Sequence, residues 1–194
     1  MQTYTKAKPL VSNSGYDSDR RRVLEGLKTA LSTGSIDEPM VDIVERFARV
    51  PCCYTLQSCY GHFVSESCAD TRNTERAADM GGTDSILHYR IAYIAFCIQN
   101  SVRGRMLLEE LRTIADIDLD YVQFGSADWF WKTCLNSYVL QVSPLRGAHQ
   151  DSFDVSIEEA LRIEQTRDEF FDRLRDVLSR NEKDQATAQG PDRY

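Results

Sequence analysis

Apolar positions recur at helical spacing over residues 18–33 and again over residues 39–50. Gly34 follows the first segment, where a glycine in the left-handed conformation can end a helix. Ser35 and Glu38 precede the second segment with the spacing of a capping box, which satisfies backbone N–H groups at a helix start. The pattern therefore predicts two consecutive helices near the start of the chain.

The pattern changes to that of β-strands in four later segments. Residues 52–59 are rich in strand-forming side chains and too short for a stable helix. In the run 87–98, alternate residues share one apolar face, which predicts a single buried strand; a buried helix is the alternative. Residues 119–125 and 137–143 have the same strand-like character, and Pro144 ends the last of them.

Two more helices complete the predicted order. An apolar stripe over residues 102–115 predicts one of them. A longer stripe begins at Ser156, whose spacing to Glu159 forms a second capping box, and it extends to about residue 180. Two N-terminal helices followed by ββαββα indicate an α+β fold, with the helices layered on one face of a mainly antiparallel or mixed sheet.

The ends of the chain lack an apolar period. Residues 1–16 are polar and rich in turn-forming types, so we expect a mobile arm there. Residues 17–181 are expected to form a single α+β domain, because a chain of 194 residues is near the usual size of one domain. Residues 182–194 are expected to form a disordered tail.

The distribution of charge bears on the partners of the protein. The formal charge is −7, and only residues 1–35, with 6 bases and 3 acids, are basic while the rest of the chain is acidic. Nucleic-acid binding usually depends on a basic face that releases counterions from phosphates. RNA is thus a possible partner that the acidic charge disfavours, and a small-molecule or nucleotide-like ligand is preferred.

The chain shows no basic segment followed by an apolar run, and no stretch approaches the ~18 apolar residues typical of a membrane span. We therefore expect a cytoplasmic protein with no membrane association. Its cysteines should then be reduced thiols, because glutathione and thioredoxin keep cytosolic thiols reduced. They stand at positions 52, 53, 59, 68, 97 and 134.

Small polar groups, a thiol and an imidazole crowd residues 54–62 (Tyr-Thr-Leu-Gln-Ser-Cys-Tyr-Gly-His), at the end of a predicted strand. Gly61 allows a tight turn, and Ser58 with the backbone N–H groups could bind an anion or a carboxylate. Cys59 would be a nucleophile if His62 or the turn lowers its pKa. The alternative is a structural turn in which Cys59 packs as a small apolar group.

Metal binding is another alternative for this turn. Cys59, His62 and Cys68 offer three ligands, but their spacing lacks the second paired half of a zinc ribbon or finger. No further histidine is near in the sequence to supply it. The sequence therefore predicts no metal site.

Residues 54–62 and the helix before them resemble the wybutosine-synthesis methyltransferase family, whose third-step enzymes modify a tricyclic guanosine in phenylalanine tRNA using S-adenosylmethionine. The family has an aspartate at a helix start and a strand reading roughly Tyr-Thr-Thr-Ser-Ser-Cys-Ser-Gly-Arg. The matching residues here are Asp37, Tyr54, Thr55, Ser58, Cys59 and Gly61. The resemblance covers about residues 36–143 and implies a related fold, a pocket at the turn and S-adenosylmethionine as the cofactor.

The chain departs from the family pattern at two positions of this motif. His62 stands where the family has arginine, and Gln57 replaces a serine. Loss of the arginine weakens phosphate recognition, which leaves the methyl acceptor open. The resemblance therefore implies S-adenosylmethionine-dependent methyl transfer to an unknown acceptor.

Two further groups are candidates for cofactor binding. His88 and Arg90 project from the same face of a predicted strand and could line one side of a pocket, or form an edge pair in solvent. Asp128 lies beside Trp129 and Trp131. Aromatic faces with a nearby carboxylate suit an adenine ring and a ribose, although core packing accounts for the tryptophans equally well.

The predicted catalytic residues are thus Cys59 and His62. The predicted cofactor-binding residues are Ser58, Gly61, His88, Arg90 and Asp128. The alternative is a non-catalytic binding or assembly protein, in which the long helix 156–180 presents its polar face to a partner and the turn at Cys59 is structural.

Overall fold

A computed structural model of the chain describes residues 4–65, 76–77 and 86–188. The strands in these residues are β1 (Tyr4–Lys6), β2 (Cys53–Cys59), β3 (His62–Ser65), β4 (Ile86–Arg90), β5 (Ala92–Ile98), β6 (Val122–Ala127), β7 (Ser137–Val142) and β8 (Ser152–Ser156). The α-helices are α1 (Tyr16–Thr33), α2 (Val41–Arg49), α3 (Val102–Arg112), α4 (Asp128–Trp131) and α5 (Ile157–Ala188). The predicted α+β class is confirmed, although the order of elements differs in detail.

The strands form two antiparallel sheets. One has five strands in the order β1-β6-β7-β5-β2, and the other has three in the order β3-β4-β8. All pairings among the described residues are antiparallel, and the structure has two sheets where the sequence predicted one mainly antiparallel or mixed sheet. β8 has no counterpart in the predicted order, because it is short and mostly polar.

The run 87–98, predicted as one strand, is two strands that belong to different sheets. The break falls at Ile91, whose N–H donates to Asp151 O at 3.1 Å instead of to a neighbouring strand. Before the break, β4 alternates between buried and more exposed residues, while β5 is buried along its whole length. The sequence did not reveal the break because an apolar residue occupies it in phase with β4.

Helices lie on both faces of the five-stranded sheet, whereas the sequence predicted one face. Neighbouring residues of a strand point to opposite faces. Tyr54 packs on Tyr16 of α1, with ring centroids 5.3 Å apart. The preceding residue, Cys53, points to the other face, where its thiol lies 3.7 Å from Phe47 O at the end of α2. α1 and α2 therefore cover opposite faces.

Two predicted helix ends are confirmed. Gly34 ends α1 with φ of 64°, and its N–H donates to carbonyls of the last turn. Glu159 N donates to Ser156 Oγ at 3.2 Å at the start of α5. The predicted capping box at Ser35 is wrong, because residues 38–40 form a 3-10 turn without a side-chain cap.

The described parts of both chain ends form regular structure where the sequence predicted a mobile arm and a disordered tail. Instead of a separate arm, residues 4–6 pair with β6, and Val11 N donates to Asn136 Oδ1 at 2.9 Å. At the other end, α5 continues through the predicted tail to Ala188, and Glu182 pairs with Arg46 of α2 at 3.2 Å. Residues 1–3 and 189–194 lie outside the described residues.

The length and polarity of the helices also bear on membrane association. In the part of the chain that the structure describes, no helix is both long and apolar enough to cross a bilayer. The cysteines in this part are free thiols, at positions 52, 53, 59, 97 and 134.

Candidate functional site

The chain passes between the two sheets twice at the same place, once from β2 to β3 and once from β4 to β5. β2 pairs with β5 and β3 pairs with β4, so Gly61 and Ile91 mark two adjacent crossings. At Gly61 the backbone has φ of 93°, which favours glycine. A Cβ there would lie 2.8 Å from Ala92 Cβ, so the two crossings approach too closely for any side chain. The predicted tight turn is present.

A cavity of about 470 Å³ opens at this crossing. The residues that line it are Asp37, Gln57, Ser58, Cys59, His62, Arg90, Ile91, Tyr93 and Asp151. Four predicted site residues, Ser58, Cys59, His62 and Arg90, are among them, and Gly61 forms the turn between them. The walls come from both sheets, because His62 pairs with Arg90 and Cys59 pairs with Tyr93.

Asp37 holds the turn from the start of the 3-10 segment before α2. Its Oδ2 accepts the backbone N–H of Tyr60 at 2.8 Å and the Nε2–H of His62 at 3.3 Å. The side chains of Asp37 and His62 are 30% and 13% exposed, so water screens the pair less than it screens a surface pair. The carboxylate is therefore used inside the site and not as a helix cap.

The contact between Asp37 and His62 shifts the pKa of both groups. The hydrogen bond to Asp37, with a further contribution from Cys59, raises the pKa of His62 from 6.5 to about 9. The hydrogen bonds from His62 and from the Tyr60 backbone lower the pKa of Asp37. At neutral pH the site therefore holds an imidazolium beside a carboxylate, and His62 is poised to donate a proton or hold an anion.

Cys59 joins these two residues in one cluster. Its Sγ, a carboxylate oxygen of Asp37 and one imidazole nitrogen of His62 all lie within 4.8 Å of one another. Cys59 ends β2 and His62 begins β3, so the turn at Gly61 brings them together. Cys68, which the sequence suggested as a third ligand, lies outside the described residues.

Arg167 of α5 also supports the turn and is not among the residues that line the cavity. The residue is only 1% exposed, and its Nη1 donates to Gly61 O at 3.1 Å. Its guanidinium carbon lies 4.2 Å from the ring centroid of Tyr60, and that ring stacks on Phe171 at 4.9 Å. Arg167 thus fixes the backbone that separates Cys59 from His62.

Sequence reasoning missed Arg167 because arginines are mostly exposed on helices. A signal was present, since Arg167 lies four residues after Ile163 and three before Phe170, on the buried stripe of α5. An arginine on such a stripe needs acceptors within the protein, and Arg167 donates to the carbonyl of Gly61 and to the carboxylate of Asp168.

Five residues that line the cavity were not among the predicted site residues, namely Asp37, Gln57, Ile91, Tyr93 and Asp151. Gln57 and Tyr93 come from β2 and β5, and Asp151 comes from the segment before β8. Asp151 could not be placed from sequence because β8 was not predicted. Tyr93 lies on the apolar face of the single strand that the sequence predicts, which hid its position beside the crossing.

His88 does not line the cavity, in contrast to its predicted role. It shares an outward face of β4 with Arg90, but it pairs across the sheet with Asp154 of β8 at 2.9 Å. The two side chains are 44% and 68% exposed. His88 therefore forms an exposed pair in solvent, which was the alternative that the sequence left open. Arg90 lines the cavity because it stands at the end of β4.

Asp128 is also remote from the cavity. It follows β6, which β7 and β5 separate from β2, and it lies level with the end of β5 opposite to Tyr93. Its carboxylate pairs with Lys8 at 2.6 Å. The neighbouring Trp131 packs edge-on against Tyr138, with ring centroids 5.8 Å apart. Packing therefore accounts for this aromatic cluster.

Comparison with protein-family models and with curated proteins found no match. Among solved structures, the chain is similar to the PH1069 protein from Pyrococcus horikoshii, with a TM-score of 0.53, 10% identity, and coverage of 86% of this chain and 96% of that chain. This likeness shows a shared fold and carries no activity to this chain.

Two further structures have lower scores. The PH1069 protein from Pyrococcus horikoshii OT3 has a TM-score of 0.46 and 12% identity, with coverage of 88% of this chain and 93% of that chain. A hypothetical protein from Aeropyrum pernix has a TM-score of 0.40 and 14% identity, with coverage of 74% of this chain and 98% of that chain.

Proposed function

We propose that the chain binds S-adenosylmethionine in the cavity at the sheet crossing and transfers its methyl group to an acceptor. The observation that carries this proposal is the pattern of charge around the cavity. Carboxylates of Asp37 and Asp151 and cations of His62 and Arg90 line one space of about 470 Å³. S-adenosylmethionine carries a carboxylate, an ammonium and a sulfonium, so it needs groups of both signs.

Arg90 and Asp151 suit the amino-acid end of this cofactor. A guanidinium can bind a carboxylate through two parallel hydrogen bonds, and a carboxylate can accept from an ammonium. Both residues line the cavity on the side of the three-stranded sheet, with Arg90 at the end of β4 and Asp151 directly before β8. Salt bridges between a ligand and such groups are stronger in a cavity than at an open surface.

The opposite wall suits the nucleoside part. Gln57, Ser58 and Tyr93 supply an amide, a hydroxyl and an aromatic ring there. These groups can accept from and donate to an adenine edge and ribose hydroxyls, while a ring face stacks on the base. A cavity volume within the range of roughly 300–1,000 Å³ is usual for small-ligand sites.

When bound, the cofactor supplies an electrophilic methyl group, and the acceptor displaces a neutral thioether. His62 is protonated at neutral pH, because Asp37 raises its pKa to about 9. Its charge can hold an anionic acceptor atom beside the methyl group, while Asp37 keeps the ring in place. Cys59, whose sulfur lies within 4.8 Å of both residues, forms the neighbouring part of the cavity wall.

The resemblance to wybutosine-synthesis methyltransferases supports the same location. Asp37, Ser58, Cys59 and Gly61, which match that family's pattern, all lie at the cavity or its turn. The acidic charge of the chain and His62 in place of arginine favour an acceptor smaller than tRNA.

Thermal unfolding of the full chain with S-adenosylmethionine tests the proposal. A ligand at 100 times its dissociation constant stabilises a protein by about 2.7 kcal/mol, so a saturable rise in Tm is expected. Arg90→Gln should lower the affinity at least about tenfold, because it removes a charge-assisted contact.

His88→Gln is the matched control, since it lies two residues away on the same face of β4 and outside the cavity. The variant should bind like the parent chain. Absence of any shift at millimolar S-adenosylmethionine would exclude the proposal. A shift that Arg90→Gln leaves intact would place the cofactor elsewhere.

The alternative of a non-catalytic assembly protein has less support. It assigns the polar face of α5 to a partner, but charged residues of that face already pair within the chain. Arg175 of α5 contacts Asp42 of α2 at 2.9 Å, and Glu182 contacts Arg46 and Arg49. These pairs hold α5 on α2.

A further inference from the structure

We propose that Asp37, Cys59 and His62 form a binding site for a divalent metal ion of the zinc class. The three residues offer one carboxylate oxygen, one thiol sulfur and one imidazole nitrogen, all within 4.8 Å of one another. They come from three segments of the chain, namely the start of the 3-10 turn, the end of β2 and the start of β3. Nothing in the spacing of the cysteines and histidines predicts this set, because Asp37 is remote in sequence.

The distances among the three atoms suit a single ion. Asp37 Oδ2 contacts His62 Nε2 at 3.3 Å, and one imidazole nitrogen lies within 4.8 Å of both Cys59 Sγ and a carboxylate oxygen of Asp37. Ligand atoms of three residues that lie this close together can bind one metal ion after small movements of their side chains.

The chemistry of the ligands selects the class of ion. Sulfur, nitrogen and oxygen together suit Zn²⁺, which binds at about 2.0–2.3 Å and prefers tetrahedral geometry. Such bonds place ligand atoms roughly 3.3–3.8 Å apart. The Asp37–His62 separation of 3.3 Å already fits, and the other two pairs need to close by at most about 1 Å.

The surroundings hold the ligands in position. The Tyr60 N–H donates to Asp37 Oδ2 at 2.8 Å, which orients the carboxylate in the way that outer contacts orient metal ligands. Gly61 is pinned between Arg167 and Ala92, so the backbone that separates the other two ligands is fixed.

The three residues are accessible from the cavity, and they leave one coordination position open, as in a catalytic zinc site. All three residues line the cavity and are partly exposed, so an ion can enter from it. Three protein ligands leave a fourth position of a tetrahedral ion open toward the cavity. A bound ion would hold a water or an acceptor atom there and act as a Lewis acid.

Titration of the metal-free full chain with Co²⁺ tests the proposal. Co²⁺ replaces Zn²⁺ and reports its ligands by colour: a tetrahedral site gives strong visible bands, and a bound thiolate gives a near-ultraviolet charge-transfer band. The titration uses a Cys68→Ser background, in which the thiols other than Cys59 are the buried ones at positions 52, 53, 97 and 134. Both bands should appear and should vanish when Zn²⁺ is added.

Cys59→Ser should abolish the charge-transfer band. Asp37→Asn and His62→Gln should each weaken Co²⁺ binding by at least about tenfold, since even outer contacts of metal ligands are worth 10–100-fold. His88→Gln is the matched control, because it disrupts a histidine–aspartate pair with no thiol in the cluster. It should leave both bands unchanged.

A parent chain without a thiolate band, or a band that persists in Cys59→Ser, would overturn the proposal. Cys59→Ser changes one atom of a partly exposed residue, so it keeps the experiment decisive even if Asp37→Asn fails to fold. The two proposals are tested separately, since Co²⁺ binding is measured without S-adenosylmethionine and cofactor binding is measured in chelator. The imidazolium of His62 belongs to the metal-free protein, because a histidine that binds a metal is neutral; in the metal-bound protein the ion would supply the positive charge beside the methyl group.

Discussion

Two histidine–aspartate pairs involve strands of the three-stranded sheet, and the pair with the closer contact is not the one at the cavity. His88 and Asp154 are 2.9 Å apart, while His62 and Asp37 are 3.3 Å apart. The first pair is largely exposed, with side chains at 44% and 68%, against 13% and 30% for the second. Because water screens an exposed pair, its short distance contributes little to stability.

The difference lies in what surrounds each pair. Asp37 also accepts a backbone N–H from Tyr60, and Cys59 lies within reach of both members. A glycine turn and a buried arginine hold this backbone in place. A candidate site therefore depends on several fixed groups that lie close together, more than on the distance within one histidine–aspartate pair.

The largest expected effect on stability comes from substituting Gly61, whose turn lies beside the pair of His62 and Asp37. Gly61→Ala should lower the free energy of unfolding by about 3 kcal/mol, because of the positive φ and the contact with Ala92. Urea unfolding measures this change. Gly26→Ala in α1, where the added Cβ has no atom within 4 Å apart from its adjacent residues and the nearby helix backbone, should instead stabilise the protein by about 0.5–1 kcal/mol. Equal unfolding midpoints for Gly61→Ala and the parent chain would show that the turn tolerates a side chain.

The next largest effect on stability is expected for Arg167, which supports the turn. Arg167→Met keeps an apolar stem but leaves Gly61 O without its donor, so a loss of about 2 kcal/mol is expected. The measurement is again urea unfolding, together with the affinity for S-adenosylmethionine, which should fall. Arg173→Met, at an exposed position of the same helix, should stay within about 0.5 kcal/mol of the parent. If the two arginine variants behave alike, Arg167 does not position the site.

The smallest effect is the pH dependence of the cavity pair in the metal-free protein. Folding raises the pKa of His62 from 6.5 to about 9, so its contribution to stability is complete below pH 6.5 and is lost as the pH rises through 9. Asp37 has a lowered pKa, so its contribution is lost at acid pH instead. The stability gap between the parent chain and His62→Gln should therefore narrow by about 1–2 kcal/mol between pH 6.5 and pH 10.

His88→Gln provides the comparison, because its exposed pair should contribute less than about 1 kcal/mol at any pH. Nuclear magnetic resonance of the two imidazoles gives the titration of His62 directly. A His62 midpoint near 6.5 would mean that Asp37 and Cys59 do not hold the ring in solution.

Local rules predicted those parts of the fold that depend on neighbouring residues. Gly34 and Ser156 marked helix ends because a left-handed glycine and a hydroxyl cap act within one turn. The turn at Gly61 and the group of Ser58, Cys59 and His62 were likewise predicted from one short string. Each of these features is decided within a few residues.

The remaining parts of the site depend on contacts between distant segments. Ile91 breaks a run that reads as one strand, and its hydrogen bond goes to a loop sixty residues later. Asp37 lies within the predicted capping box, but its carboxylate turns to Tyr60 and His62. The Asp128 prediction was wrong about location, because local aromatic content does not indicate which end of a sheet a residue occupies.

Because the crossings at Gly61 and Ile91 are adjacent, both sheets contribute walls to the cavity. Cys59 and Tyr93 belong to the five-stranded sheet, whereas His62 and Arg90 belong to the three-stranded sheet. A molecule held by both walls would restrain the angle between the sheets, so occupancy and inter-sheet motion would be thermodynamically linked. Local opening would then become rarer even at β1, the strand of the five-stranded sheet farthest from β2, which a ligand in the cavity need not touch.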